Sequence, residues 1–209
     1  MENLVNPYAF FDCLAVGKYL ERQFGDINGT EIHMFSYLSC LLFLYQGNPV
    51  TTWHYQFVTT PHGSPFSSEL ENAIDFAMNL GYLFPSEKET SEPDYIQVSE
   101  IGLDEVNKLK KLSVNSKRDK CIDAACSTLL SVPIGSIRSS LSQEPHLRSA
   151  LNLNDSRVLL GDKGPHIEAL HEQFQIISHS IGVDPENLVI PGVIWLTYLS
   201  KLFQKGQVI

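Results

Sequence analysis

The sequence predicts an α+β protein, mainly α, with a winged-helix-like first half and a helical bundle behind it. Three observations point there. Thr30 to Gln46 is apolar nearly all round and stops at Gly47, the pattern of a helix buried on most of its faces. Tyr82–Phe84 and Tyr95–Val98 are short runs rich in aromatic and β-branched residues, flanking a polar loop. From Arg118 onward the apolar residues recur mostly at helical spacing.

Taken in order, Asn6-Pro7 is a cap and first-turn pair for a helix over 8–24, with Phe10 or Phe11, Leu14, Ala15 and Leu20 inward. Gly25 to Gly29 is a turn. Thr30 caps the central helix, with Glu31 in its first turn, where the helix dipole favours a carboxylate. A membrane span needs about 20 apolar residues, and this run is shorter and opens on Glu31 and His33. Val50 to Thr60 alternates Trp53, Tyr55 and Phe57 against Thr52, His54 and Gln56, which predicts an extended segment with one buried face. Pro61, Gly63 and Pro65 force a turn. Ser67 or Ser68 caps a helix with Leu70, Ile74, Ala77, Met78 and Leu80 on one face, and Gly81 ends it. The two strands follow, then a helix over Leu103 to Leu112.

Ser113 to Lys120 is polar and reads as a joint, dividing the chain into residues 1–114 and 115–209. Behind it, helices are expected over 118–132, with Ile122, Ala125, Cys126, Leu129 and Leu130 on one face, from Pro133, and from Glu144-Pro145. A short strand or turn lies at Val158–Leu160. Two further helices follow, from Pro165 to about Ile181 and from Pro191 to the end. The second half is therefore a helical bundle.

The order helix, helix, two-stranded hairpin, helix in the first half is that of a winged helix. The run F-x-x-x-x-x-G-S-P-F-S-x-E-L from Phe57, A-x-x-L-G-Y-L from Ala77 and Y-I-Q-V-S-E-I-G from Tyr95 resemble that fold as used in small bacterial accessory proteins. One is the middle component of three-component ABC-ATPase systems, which include Lamassu-type antiphage defence. Another is the SocA-type antitoxin domain. The resemblance covers Phe35 to Leu112, about half of the chain. It implies a non-catalytic adaptor that binds an SMC-like ABC ATPase and an effector such as a nuclease. The alternatives are a SocA-type antitoxin or proteolytic adaptor, and a winged-helix DNA-binding regulator.

Composition bounds these readings. At 209 residues, 43% hydrophobic and 19% charged, the chain can bury a sizeable core. A net charge of −9 disfavours non-specific attraction to nucleic acid or anionic membrane. Cys13, Cys40, Cys121 and Cys126 lack paired metal spacing and read as reduced core thiols. No basic region precedes an apolar run and cleavage site at the N-terminus, so a cytoplasmic location is expected.

Catalytic patterns fail on inspection. His171-Glu172 is followed by Gln175 where a metalloprotease needs its second histidine, and His166, His171 and His179 are spaced five and eight apart. Gly161 to Pro165 lacks the Gly-Lys-Ser/Thr end of a phosphate loop, and no G-x-S-x-G elbow occurs. His54 and His62 lie near Asp75 in sequence without forming a dyad pattern. No catalytic, cofactor or metal residues are assigned, no cofactor is expected, and the expected partners are proteins.

Charge bears on DNA binding as well. The helix after Ser67 carries Glu69, Glu71 and Asp75, and Val50 to Asp104 holds nine acidic residues against Lys88 alone. Phosphate contacts need cations there, so direct DNA contact is expected to be weak if present. Lys108, Lys110, Lys111, Lys117, Arg118 and Lys120 form the basic stretch, read as a solvated face or a modest contact for nucleic acid or an acidic partner. The last helix has more apolar residues than one face hides. Trp195, Tyr198, Leu199, Leu202 and Phe203 are its candidate interface, with Trp195 and Tyr198 as anchors.

Overall fold

A computed structural model describes residues 5–25, 27–60, 63–86, 95–153, 158–160, 165–182 and 187–206, the side chains of Phe24, Leu153, Pro165, His166, Ile181, Phe203 and Lys205 excepted. The fold is mainly helical, with two small antiparallel sheets.

Helix α1 (Pro7–Phe24) opens as expected. The Asn6 side-chain oxygen accepts from the Tyr8 and Ala9 amides at 2.9 and 3.2 Å. Strand β1 (Ile27–Asn28) then leads into α2 (Gly29–Tyr45), whose residues Ile32 to Leu44 are all buried. The cap of α2 is Asn28 rather than Thr30. Asn28 Oδ1 accepts from the Thr30 amide at 2.7 Å, while Glu31 reaches back to the Asn28 amide at 3.0 Å. That reciprocal box satisfies donors at both ends of the turn, which Thr30 cannot do from inside the helix. Gly47 takes φ 79° just past the helix end, as its position predicts.

The segment expected to be extended from Val50 does bury Trp53, Tyr55 and Phe57. Its first turn nevertheless winds into a 3₁₀ helix over Val50–Trp53, with Thr52 Oγ1 donating to the Pro49 carbonyl at 2.7 Å. His54 then turns left-handed at φ 67° before β2 (Phe57–Thr59). Strand β3 (Pro65–Phe66) pairs with β2, and α3 (Ser68–Asn79) follows from a Ser67 cap. Leu70, Ile74 and Ala77 face inward as expected, whereas Leu80, past the last helical turn, is exposed. Strands β4 (Leu83–Pro85) and β5 (Tyr95–Val98) form the expected hairpin, with β1 on the far side of β5. Helix α4 (Glu100–Leu109) starts three residues earlier than its apolar pattern suggests, because Ser99 caps it onto the Gly102 amide at 3.0 Å.

The polar stretch runs on into α5 (Ser116–Ser127). Helix α5 packs on α2 and α1, and Arg118 and Asp119 point into that core. Helices α6 (Ile134–Leu141), α7 (Pro145–Leu153), α8 (Pro165–Ile181) and α9 (Val189–Gly206) follow. Strand β6 (Val158–Leu159) crosses back to pair with β2, placing Leu159 opposite Phe57. One hydrophobic cluster accordingly runs from Ala9 through α2 and α5 to Leu199, so the division at 114/115 cuts a shared core. Leu130, expected on the inner face of one helix over 118–132, lies in a 3₁₀ turn after α5 and is exposed. Helix α9 starts at Val189, two residues before Pro191, which its first turn accommodates.

Candidate functional site

The basic stretch does not form one cationic surface. Arg118 is buried, with Nε donating to Asp12 Oδ1 at 2.5 Å and Nη2 to the Trp53 carbonyl at 2.7 Å. Its guanidinium carbon lies 3.7 Å from the centre of the Trp53 ring, with Tyr8 and Tyr55 close by. Asp12 also accepts from Tyr55 OH at 2.5 Å. Burial pushes the Asp12 carboxyl above the usual carboxylate range, and the Arg118 charge works against that push. The group thus ties α1, the 50–55 turn and α5 together, and Arg118 is withdrawn from any contact with nucleic acid.

Lys110 is engaged too. Its ammonium lies 2.7 Å from Asp119 Oδ2 and donates to Tyr19 OH at 2.9 Å, while Tyr19 donates to Asp119 Oδ1 at 3.0 Å. Burial pushes the Tyr19 phenol up to about 12, which keeps it a donor at neutral pH. Lys108 pairs with Glu105 at 3.3 Å, and Lys117 reaches Asn48 at 3.5 Å. Lys111 and Lys120 are exposed.

Helix α3 presents the opposite sign. Ser68, Glu71, Asn72, Asp75, Phe76, Asn79 and Leu80 form its exposed face. Beneath it, His33 Nδ1 accepts from the Ser67 amide at 3.2 Å, so Nε2 carries the proton and donates to Glu71 Oε2 at 2.9 Å. That hydrogen bond holds the Glu71 carboxyl below its ordinary value. His33 is further fixed by stacking on Phe66 at 4.8 Å. A groove of about 250 Å³ runs between α3 and the residues before α1, lined by Glu69, Asp75, Phe76 and Asn6.

The C-terminal helix divides differently from its expected interface. Trp195 and Leu199 are buried, with Trp195 Nε1 donating to Gln173 Oε1 at 2.9 Å and its ring meeting Phe174 edge-on. Leu202 is partly buried, and the Phe203 side chain lies outside the described residues. Of the four whose side chains are described, Tyr198 is the exposed one, in line with Ile194 and Ile190 at four-residue steps. Sequence reading placed the anchors on Trp195 and Tyr198, and of these Trp195 is buried and Tyr198 faces outward. The regular 190, 194, 198 spacing was the signal for the outer stripe, masked because nearly every neighbouring position is also apolar.

Sequence reading gave no role to Glu144. It is fully buried, accepting from Tyr37 OH and from the Leu147 amide, each at 2.9 Å, and lies 2.7 Å from His146 Nδ1. It caps α7 while bonding to α2. A cavity of about 410 Å³ is lined by Cys40, His54, Tyr55, Phe57, Glu69 and Leu160. Burial pushes all four thiols up, Cys121 to about 12, which leaves them poor nucleophiles at neutral pH.

Among the described residues no group of three His, Cys, Asp or Glu side chains is placed to hold a metal, and no helix is long and apolar enough to cross a membrane. His171 is exposed, and His179 Nδ1 lies 2.8 Å from the Gln175 carbonyl. The readings at His62, the His166 side chain and the loop before Pro165 lie outside the described residues. Protein-family models, curated proteins and solved structures contain no match to the chain.

Proposed function

We propose that the chain is a non-catalytic adaptor, with a winged-helix-like first half, that holds protein partners rather than DNA. Support for the winged-helix reading comes from the order α1, β1, α2, α3, β4, β5, interrupted between α2 and α3 by β2 and β3 of the other sheet, with β5 between its neighbours β1 and β4. In that arrangement α3 occupies the place of the groove-reading helix. The observation that carries the adaptor reading is the charge on that helix: its exposed face offers Glu71 and Asp75 and no Lys or Arg. Phosphates would repel it. The basic residues that would offset this are partly withdrawn, Arg118 into the core and Lys110 onto Asp119.

The resemblance to the middle component of three-component ABC-ATPase systems supplies the partners. They are an SMC-like ABC ATPase and an effector such as a nuclease, assembled in a cytoplasmic antiphage complex. The test has two arms. Purified protein should give no shift of duplex DNA at low salt below about 1 μM, the range where non-specific binders begin to act. Tagged protein drawn from its native cell should bring a large ATPase with it. A shift at lower concentration would replace the adaptor by a DNA-binding regulator. A small toxin in place of the ATPase would favour the SocA-type reading.

A further inference from the structure

The end of α3 and the start of α4 expose apolar side chains beside each other. Phe76 is 39% exposed, Leu80 48% and Ile101 54%. Leu80 precedes Gly81, and a methyl group on Gly81 would lie 3.9 Å from Ile101 Cδ1, so Ile101 sits against the helix end. Phe76 is braced from behind by Phe10, edge-on at 5.7 Å. The exposed charged residues nearest these three in sequence are acidic, Asp75 on α3 and Glu100 and Asp104 on α4, while Lys108, seven residues past Ile101, pairs with Glu105 at 3.3 Å. Between Val50 and Asp104 the described residues contain no Lys or Arg.

An apolar step edged by one sign of charge fits an amphipathic segment of the other sign. The apolar contact supplies the attraction, and the charges select the partner and its orientation. We propose that Phe76, Leu80 and Ile101 dock a basic amphipathic helix of a partner protein, with its Lys or Arg side chains against Asp75, Glu100 and Asp104. This rests on the adaptor reading and names one of its surfaces. The outer stripe of α9 differs: it is equally apolar, but among the described side chains of α9 it has Lys201 as its one charge and no acidic edge.

The probe is a synthetic helix of about 18 residues, five turns, with Leu on one face and Lys on the other, and a twin in which Glu replaces Lys. Fluorescence anisotropy with the full chain should show the Lys peptide binding and the Glu peptide not. Raising salt from about 50 to about 300 mM should weaken it, as expected of screened charges. The double variant L80S/I101S and the single variant D75K should each weaken it about tenfold. All three positions are exposed, and an unchanged circular dichroism spectrum confirms the fold. Equal binding of both peptides, or binding unaffected by both variants, overturns the proposal. So does loss on I194S/Y198S alone, which places the peptide on α9. A wild-type dimer in sedimentation that L80S/I101S dissociates also overturns it, because a second copy then covers the face. If the ATPase co-purifies while the peptide result fails, this surface alone is wrong. If the peptide result stands and no ATPase co-purifies, the adaptor reading alone is wrong.

Discussion

Arg118 is held by a carboxylate, a carbonyl and an aromatic face at once, and each contact needs the flat guanidinium. Removing it leaves Asp12 buried without a counter-charge. We therefore expect R118A to lower stability by about 3–5 kcal/mol, read from the urea midpoint, and R118K to restore little of it. Replacing both members with apolar residues, as in D12L/R118M, should cost much less than either single change. Sequence alone gave no hint of this. A basic residue in a polar run looks solvated, and its partner lies 106 positions away. The His33–Glu71 contact gives a pH dependence. Glu71 titrates below its ordinary 4.5 in the folded chain. A carboxyl depressed on folding stabilises above its unfolded value, and that stability disappears as pH falls through the folded one. Thermal midpoints should thus drop between about pH 5 and about pH 3, and the drop should be smaller in E71Q.

At the level of elements, close packing rather than propensity decides which glycines matter. A Cβ on Gly102 would come within 2.3 Å of the Tyr82 carbonyl oxygen, which also accepts from the Ser99 amide and hydroxyl. Helix α4 leans on the β4 entry at that point and cannot move without breaking those bonds. Gly135, in the first turn of α6, has open space where its Cβ would be. G102A should lower stability by about 1–3 kcal/mol, while G135A should raise it by about 0.5 kcal/mol. Differential scanning calorimetry separates the two by sign. Helices such as α1, α3 and α8 were legible because cap, apolar face and stop all fall within about 18 residues of sequence, about five turns. Strand β1 was not: it has two residues, and Ile27 becomes a strand residue through its pairing with Ile96, distant in sequence. The same reason hid the exposed apolar step on α3 and α4. Leu80 and Ile101 each look like ordinary helix-face residues until the β4–β5 hairpin brings them together.

Across the whole molecule, the expected division after residue 114 meets three connections that cross it. Helix α5 fills the space between α1 and α2, Glu144 caps α7 while accepting from Tyr37 in α2, and β6 pairs with β2. A polar run normally marks a linker because solvated residues tolerate it. Here the polarity serves buried pairing, so the compositional signal has the opposite meaning. The consequence is cooperative. Cutting at 114/115 would leave Asp12 without Arg118, α2 bare along the side that α5 covers, and Glu144 without Tyr37. Calorimetry of the full chain should show one transition with equal calorimetric and van't Hoff enthalpies. Fragments 1–114 and 115–209 made separately should show no cooperative unfolding, and mixing them should restore it in part. Two independent transitions in the intact chain, or a fragment 1–114 that melts sharply by itself, would mean that the apolar contacts of α5 add little to the first half.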